Sequence, residues 1–386
     1  MIIPLKIAVV AGEESGDLLG ANLIESLKAI AGRDVEIVGV GGRHLQALGL
    51  RSLFNASDIA LMGLSAIVRD LPRLMRRIGE TARFVASENP DCLVTIDSPD
   101  FSLRVAKKVR ALDPSIPIVH YVCPSVWAWR ESRAPAMKPY VDEILCILPF
   151  EPQALEALDG PKGTFVGHRL STEPTIQAAR EKQSVPRDLS PDRVKNLLLL
   201  PGSRRSEVRH LIGPFGEAVS LLKARGHRLR LLLPTVPHVE QMVSEAVSGW
   251  EQKPEITTDL ADKGRAFGEA DAALIASGTV SLELALAGVP MMSCYKLDPL
   301  MRIMQGLVKI WSASLPNLIA DAPVVPEFYD RYARPNSMAR HMEALFQDTE
   351  LRAWQRQGFA EIRSRMQTDR PSGELAADVV LRHIAQ

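Results

Sequence analysis

The sequence predicts an α/β protein of two Rossmann-like domains facing a cleft. Short apolar runs alternate with longer amphipathic stretches, which is the pattern of a doubly wound parallel sheet. The runs are continuously apolar, as strands covered on both faces must be. The alternation also breaks once and restarts within a chain of 386 residues, a length at which one core usually stops growing and about two to three domains are expected.

In the first half the predicted strands are Ile7–Ala11, Val35–Val40, Cys92–Ile96, Ile116–Val122, Ile144–Leu148 and Thr164–Val166. Amphipathic stretches such as Leu18–Ala29 and Phe101–Leu112 lie between them. From Ser171 to Lys195 the chain is polar, carries three prolines and loses apolar periodicity, so it reads as a linker. The alternation resumes with Leu197–Leu200, Leu229–Leu233, Ala272–Ile275 and Pro290–Cys294, and residues from Met338 onward are helical without strands.

Composition narrows the function classes. Hydrophobic residues make up 46% and charged residues 24%, ordinary globular usage that excludes a disordered or fibrous chain. Lys+Arg and Asp+Glu both number 46, so the net charge is zero and the chain lacks the overall basic field of a nucleic-acid binder. No apolar run approaches the roughly 18–20 residues that span a bilayer, and the N-terminal run lacks a signal peptide's charged start and cleavage site. Cys92, Cys123, Cys146 and Cys294 form no CxxC pair and have no clustered histidine, so they read as reduced structural thiols.

Ligands of open α/β sheets bind at the carboxyl ends of the strands, so the residues just after each strand matter most. The first is Gly12-Glu13-Glu14-Ser15-Gly16-Asp17. It is not GxGxxG, and it carries more acids and hydroxyls than a turn with a helix cap needs. The next is Asp97-Ser98-Pro99-Asp100, where Asp97 ends an apolar strand as a general base would and Asp100 is alternatively a helix cap. His120–Arg130 brings Tyr121, Trp127 and Trp129 together, a plausible wall for a sugar or an apolar group, with a plain hydrophobic plug as the competing reading. His120 itself lies on a strand and also reads as a core histidine.

The second half carries Gly202-Ser203-Arg204 before Glu207, and Ser277-Gly278-Thr279 before Glu283. A glycine turn opening a helix offers backbone N–H groups and the helix dipole to a phosphate, and an arginine adds a bidentate cation. A carboxylate one turn into the helix suits ribose hydroxyls. Two such turns in one domain suggest a nucleoside diphosphate, whereas two simply capped turns are the bland alternative.

The motifs VAGEESGD, IDSPDF, HYVCPSVWAWR, LPF, FVGH, LPGSR, SGTVSLE and SLPNL run in order through both halves. In this the chain resembles the lipid-A-disaccharide synthases, bacterial glycosyltransferases of the GT-B architecture. Cys123 stands where the pattern has a small residue such as serine. The resemblance implies transfer of 2,3-diacylglucosamine from its UDP ester to the 6-hydroxyl of 2,3-diacylglucosamine 1-phosphate, with inversion, giving a β-1,6 disaccharide 1-phosphate and UDP. It places an acceptor-side domain at 1–170, a linker at 171–195, a UDP-sugar donor domain at 196–345 and C-terminal helices at 346–386, with a return of those helices to the first domain left open. Asp97 is the expected catalytic base, and Glu14, Ser15, Gly16, Asp100, His120 and Trp127 are the expected acceptor-side residues. Ser203, Arg204, Ser277, Gly278, Thr279 and Glu283 are expected to hold UDP, with Asn317 at the rim. No DxD motif ends a donor-domain strand, so no metal or cofactor is invoked. A UDP-sugar 2-epimerase of the same architecture is the alternative.

One stretch points to a membrane surface. In Ala66–Ile78 (AIVRDLPRLMRRI), Ile67, Leu71, Leu74, Met75 and Ile78 share one helical face, while Arg69, Arg73, Arg76 and Arg77 lie largely opposite. Such a basic amphipathic helix can lie in an anionic interface, although most such faces are buried in their own core and Pro72 is expected to kink or restart the helix. The expected location is cytoplasmic, peripheral on the inner face of the inner membrane. No nucleic-acid partner is expected, and a homodimer is left open.

Overall fold

The computed structural model describes residues 3–56, 59, 67–296 and 309–385, with the backbone alone at 67–71. The strands are β1 (Leu5–Ala11), β2 (Val35–Val40), β3 (Arg51–Ser52), β4 (Cys92–Ile96), β5 (Ile118–Tyr121), β6 (Glu143–Cys146), β7 (Lys162–Phe165), β8 (Lys195–Leu200), β9 (Leu229–Pro234), β10 (Glu255–Thr257), β11 (Ala272–Ala276), β12 (Met291–Tyr295) and β13 (Glu327–Tyr329). The helices of the first half are α1 (Glu14–Ile30), α2 (Arg43–Ala47), α3 (Ile67–Ser87), α4 (Pro99–Leu112), α5 (Arg133–Met137) and α6 (Glu151–Ala157). Those that follow are α7 (Pro174–Ser184), α8 (Arg205–Ala224), α9 (Pro237–Val247), α10 (Leu260–Glu269), α11 (Thr279–Ala287), α12 (Leu315–Ala320), α13 (Pro335–Leu345), α14 (Glu350–Met366) and α15 (Ser372–Ile384).

The chain divides into two compact units, residues 1–169 with 368–386, and residues 170–367. The first holds a seven-stranded sheet in the order β3-β2-β1-β4-β5-β6-β7, the second a six-stranded sheet in the order β10-β9-β8-β11-β12-β13. Strand pairing is parallel in both. The apolar runs explain this directly: β4 and β11 are buried at every position, which only helices on both faces can achieve. In each sheet the strand order reverses once, between β1 and β4 and between β8 and β11. Gly39 lies in the left-handed half of backbone space at φ 126°, where a Cβ would stand 2.1 Å from the Val9 carbonyl oxygen, so β2 approaches β1 there only because the residue is glycine.

Three elements depart from expectation. The segment 171–195 is not plain linker: α7 occupies its first half and buries Ile176, Ala179 and Gln183. Pro174 at its first position and Pro186 just beyond its end are start and stop signals of a helix. The C-terminal helices separate, α14 into the second unit and α15 into the first. Finally, α3 runs unbroken through Pro72. Leu74 and Ile78 of its expected interfacial face are buried in the core of the first unit, whereas Met75 is exposed. Ala66 and the side chains of Ile67, Arg69 and Leu71 lie outside the described residues.

Candidate functional site

In the first unit the loops after β1 and β4 meet where strand order reverses. A Cβ on Gly12 would lie 3.3 Å from the Ser98 hydroxyl, and one on Gly16 would lie 3.7 Å from the Asp97 Cβ. The Ser98 hydroxyl donates to the Glu13 carboxylate at 3.3 Å. Asp97 and Ser98 both adopt positive φ, 49° and 42°, and the Ser98 N–H turns back to Asp97 Oδ1 at 2.8 Å. Two consecutive left-handed residues cost strain, which structures concentrate at functional turns. Asp97 is half-buried, so one carboxylate oxygen is fixed while the group still meets solvent.

The other expected acceptor-side residues scatter around this turn. Ser15 is exposed and Glu14 pairs with Arg43. Neither Ser15 nor Asp17 caps α1. Asp17 is buried and accepts from Gly42 N at 2.6 Å and His44 N at 2.8 Å, capping α2 instead. Asp100 is no cap either, since the cap residue of α4 is Ser98. The Asp100 carboxylate binds Arg133 at 2.7 Å and Arg130 at 3.7 Å.

Next to β4, His120 is fully buried on β5, and its Nδ1 lies 2.9 Å from the Thr95 hydroxyl. Burial, with Arg133 nearby, drives its pKa down to about 3, so the ring is neutral, and its buried Nε2 has no hydrogen-bond partner among the described residues. The loop beyond it begins at Val122, a β-branched residue at φ 76°. Trp127 is half-buried, edge-on to Phe150 at 5.0 Å, and the Arg130 guanidinium stacks over Trp129 at 4.1 Å.

In the second unit the expected donor residues come together. Ser203, Arg204, Ser277, Gly278, Thr279 and Glu283 all line one cavity of about 330 Å³ between the ends of β8 and β11. The two turns are not equivalent. The Glu207 carboxylate already accepts from Ser203 N at 3.1 Å and Arg204 N at 3.2 Å, and it pairs with the Arg204 guanidinium at 3.0 Å. The amides expected to cradle a phosphate there are therefore occupied. Gly202 permits this at φ 114°, since a Cβ would stand 2.4 Å from Glu207 Oε2. The start of α11 has no side-chain cap among the described residues, and its cap residue is Gly278.

Residues 7–378 match the model of the Lipid-A-disaccharide synthetase family. The chain belongs to this family. It is 45% identical over 379 residues to the lipid-A-disaccharide synthase of Rhodopseudomonas palustris (strain HaA2), covering 97% of this chain and 95% of the relative. It is 38% identical over 385 residues to that of Rhodospirillum centenum, covering 99% and 96%. Among solved structures it resembles MurG of Acinetobacter baumannii, with TM-score 0.62 and 13% identity over 98% of this chain and all of that one. A putative UDP-N-acetylglucosamine 2-epimerase from Listeria monocytogenes reaches TM-score 0.61 at 14% identity, over 98% and 95%. These likenesses establish the two-domain α/β fold of GT-B glycosyltransferases. Fold alone does not separate transferase from epimerase; the family does. The chain is thus a glycosyltransferase of lipid A synthesis.

Within this lipid-A-disaccharide synthase family chain, Asn317 needs correction. It is buried, not at a rim: its amide nitrogen donates to Ser312 Oγ at 3.1 Å and Val325 O at 2.9 Å, and its oxygen accepts from Val325 N at 2.7 Å. Together with Glu327, which accepts from Ala313 N at 3.1 Å, it shapes the 312–314 segment. The Ala313 carbonyl in turn accepts from the Ser277 hydroxyl at 3.2 Å. Asn317 thus supports the segment that contacts the Ser277 turn.

Two cavity residues escaped the sequence reading. Lys263 on α10 binds the Glu283 carboxylate at 2.5 Å, and Thr235, after β9, lines the cavity and has a buried hydroxyl without a partner among the described residues. Neither lies in a motif, and only tertiary packing brings them to the turn.

Proposed function

We propose that the chain transfers diacylglucosamine from its UDP ester to the 6-hydroxyl of diacylglucosamine 1-phosphate, with inversion at the anomeric carbon. In this reading the first unit handles the acceptor and the second holds UDP. Asp97 accepts the proton of the attacking hydroxyl as the new C–O bond forms, and the anomeric C–O bond to UDP breaks with its electrons leaving on the diphosphate. The α11 N-terminus and Arg204 carry that charge. The observation that carries the reading is the strained Asp97–Ser98 turn at the β1/β4 switch point, which presents one tethered carboxylate beside the glycine loop of β1.

Diacylated substrates reside in a membrane surface, so we also infer peripheral docking there. Support comes from Met75 and Arg76 on α3, both exposed, with Arg76 80% exposed and held by Glu80 at 2.7 Å. The buried Leu74 and Ile78 confine any interfacial face to the N-terminal end of the helix and Met75.

Asp97→Asn tests the mechanism. Asparagine tolerates the left-handed conformation, so the variant is expected to fold while turnover falls by about 10²–10⁴, the usual loss for a positioned base. UDP release measured with diacylated glucosamine 1-phosphate or with a water-soluble sugar should be supported by the acylated acceptor alone. Wild-type turnover in the folded variant removes Asp97 from the role.

A further inference from the structure

Glu151 follows the LPF motif and opens α6. Its side chain is 2% exposed, yet among the described residues no lysine, arginine or histidine pairs with it. Three N–H groups converge on it instead. Trp127 Nε1 donates to Oε1 at 3.3 Å, and the Ile147 and Leu148 amides donate to Oε2 at 3.0 and 2.9 Å. The ring of the preceding residue, Phe150, meets the Trp127 indole edge-on. Among the described residues, the other titratable groups facing it are the Cys123 and Cys146 thiols, whose sulfurs lie within 4.8 Å of each other and of a Glu151 oxygen.

Burying a carboxylate with no counter-cation is costly. An apolar side chain would leave the Ile147 and Leu148 amides without an acceptor, and an amide side chain would set a donor against one of the three N–H groups. What a carboxylate adds is two acceptor oxygens and no donor, so it can hold the indole and the turn together in one arrangement.

We propose that Glu151 is a positioning residue for the acceptor: it locks Trp127 and the 147–148 turn so that the aromatic wall keeps the shape the acylated sugar meets. The proposal rests on the reading that the 120–130 loop belongs to the acceptor side.

Burial pushes the Glu151 carboxyl up to about 7. A carboxyl raised above its unfolded value gives stability that is fully present at low pH and is lost as pH rises through about 7. Stability alone therefore favours the protonated form. The lock favours the anion, because a proton turns one acceptor oxygen into a donor facing N–H groups. Stability and positioning predict opposite pH trends.

The test uses the full chain, with Glu151→Gln, Trp127→Phe, Trp127→Ala and the Gln/Phe double variant. Glu151→Gln should raise the KM for diacylated glucosamine 1-phosphate by about tenfold, as for one lost charge-assisted bond, while the KM for the UDP-sugar stays put. In the wild type the acceptor KM should rise as pH falls through about 7, and Glu151→Gln should abolish that limb. Glu151→Gln and Trp127→Phe should be non-additive, since both break one contact. At pH 8 Glu151→Gln should melt no earlier than wild type. If Trp127→Ala raises the acceptor KM but Glu151→Gln does not, the positioning proposal falls. If neither Trp127 variant moves the acceptor KM, the acceptor-side reading falls instead. A lower melting temperature for Glu151→Gln with both KM values unchanged makes Glu151 a fold staple and overturns the proposal. Should the Gln variant fail to fold, the pH limb of the wild type and its loss in Trp127→Phe decide.

Discussion

Glu207 shows what residue-scale reading gains and misses. The sequence GSR before a helix points correctly to the cavity turn, because a glycine at a strand end, a hydroxyl and an arginine are local features. That Glu207 folds back on the same amides depends on one rotamer, which no spacing reveals. Asn317 departs from its expected rim position for a related reason: a polar residue in a motif looks alike whether it faces a ligand or a buried partner. The pairing with Glu207 also bears on Arg204. The side chain is 79% exposed and can leave Glu207 for a diphosphate, trading one partner for a stronger one. Arg204→Ala should therefore weaken UDP binding by about tenfold, the lower end for a charge-assisted bond. Calorimetric titration with UDP checks this, and an unchanged Kd takes Arg204 out of the site.

Among elements, the long apolar strands were legible because burial on both faces forces continuous apolar runs. The two- and three-residue strands β3, β10 and β13 were not, since so few residues make no pattern. Helix α7 was hidden by its prolines, which mark its ends but read as loop composition. Helix α3 was legible as amphipathic, yet periodicity could not say what covers the apolar face. Leu74 and Ile78 answer for its middle: they pack with Val85, Phe101 and Val105. The membrane prediction shifts accordingly. Ile67→Ser, Leu71→Ser and Met75→Ser together should release the protein from anionic vesicles and leave its melting unchanged. Leu74→Ser should instead destabilise the fold, because a hydroxyl replaces a core leucine. Wild-type sedimentation with vesicles should also fall as salt rises, since exposed arginines are screened beyond about 8–10 Å. Undiminished co-sedimentation of the triple variant returns α3 to a purely structural role.

At the scale of the whole molecule, the chain order does not follow the units. It leaves the first unit after residue 169 and returns to it at 368. The final helix, α15, completes a core it is separated from by about half the sequence. Ala376, Ala377, Val379 and Val380 are buried with Leu23, Leu27, Leu145 and Val166. The helix sits against α1 so closely that a Cβ on Gly373 would stand 2.3 Å from the Asn22 amide oxygen. His383 Nε2 lies 2.9 Å from the buried Glu143 carboxylate, which Lys162 also approaches at 3.2 Å. Each fully buried valine or leucine contributes about 1.5–3 kcal/mol, and a domain's whole margin is about 5–15 kcal/mol. Removing residues 368–386 uncovers several such side chains at once and leaves Glu143 without His383. The truncated chain should therefore lose the first unit while the second, whose core lies within 170–367, stays folded. Calorimetry of that chain should show one transition that UDP still raises, because ligand binding stabilises only the folded form it binds. Two transitions in the truncated chain, one of them insensitive to UDP, would mean that α15 only decorates the first unit and that its core closes without it.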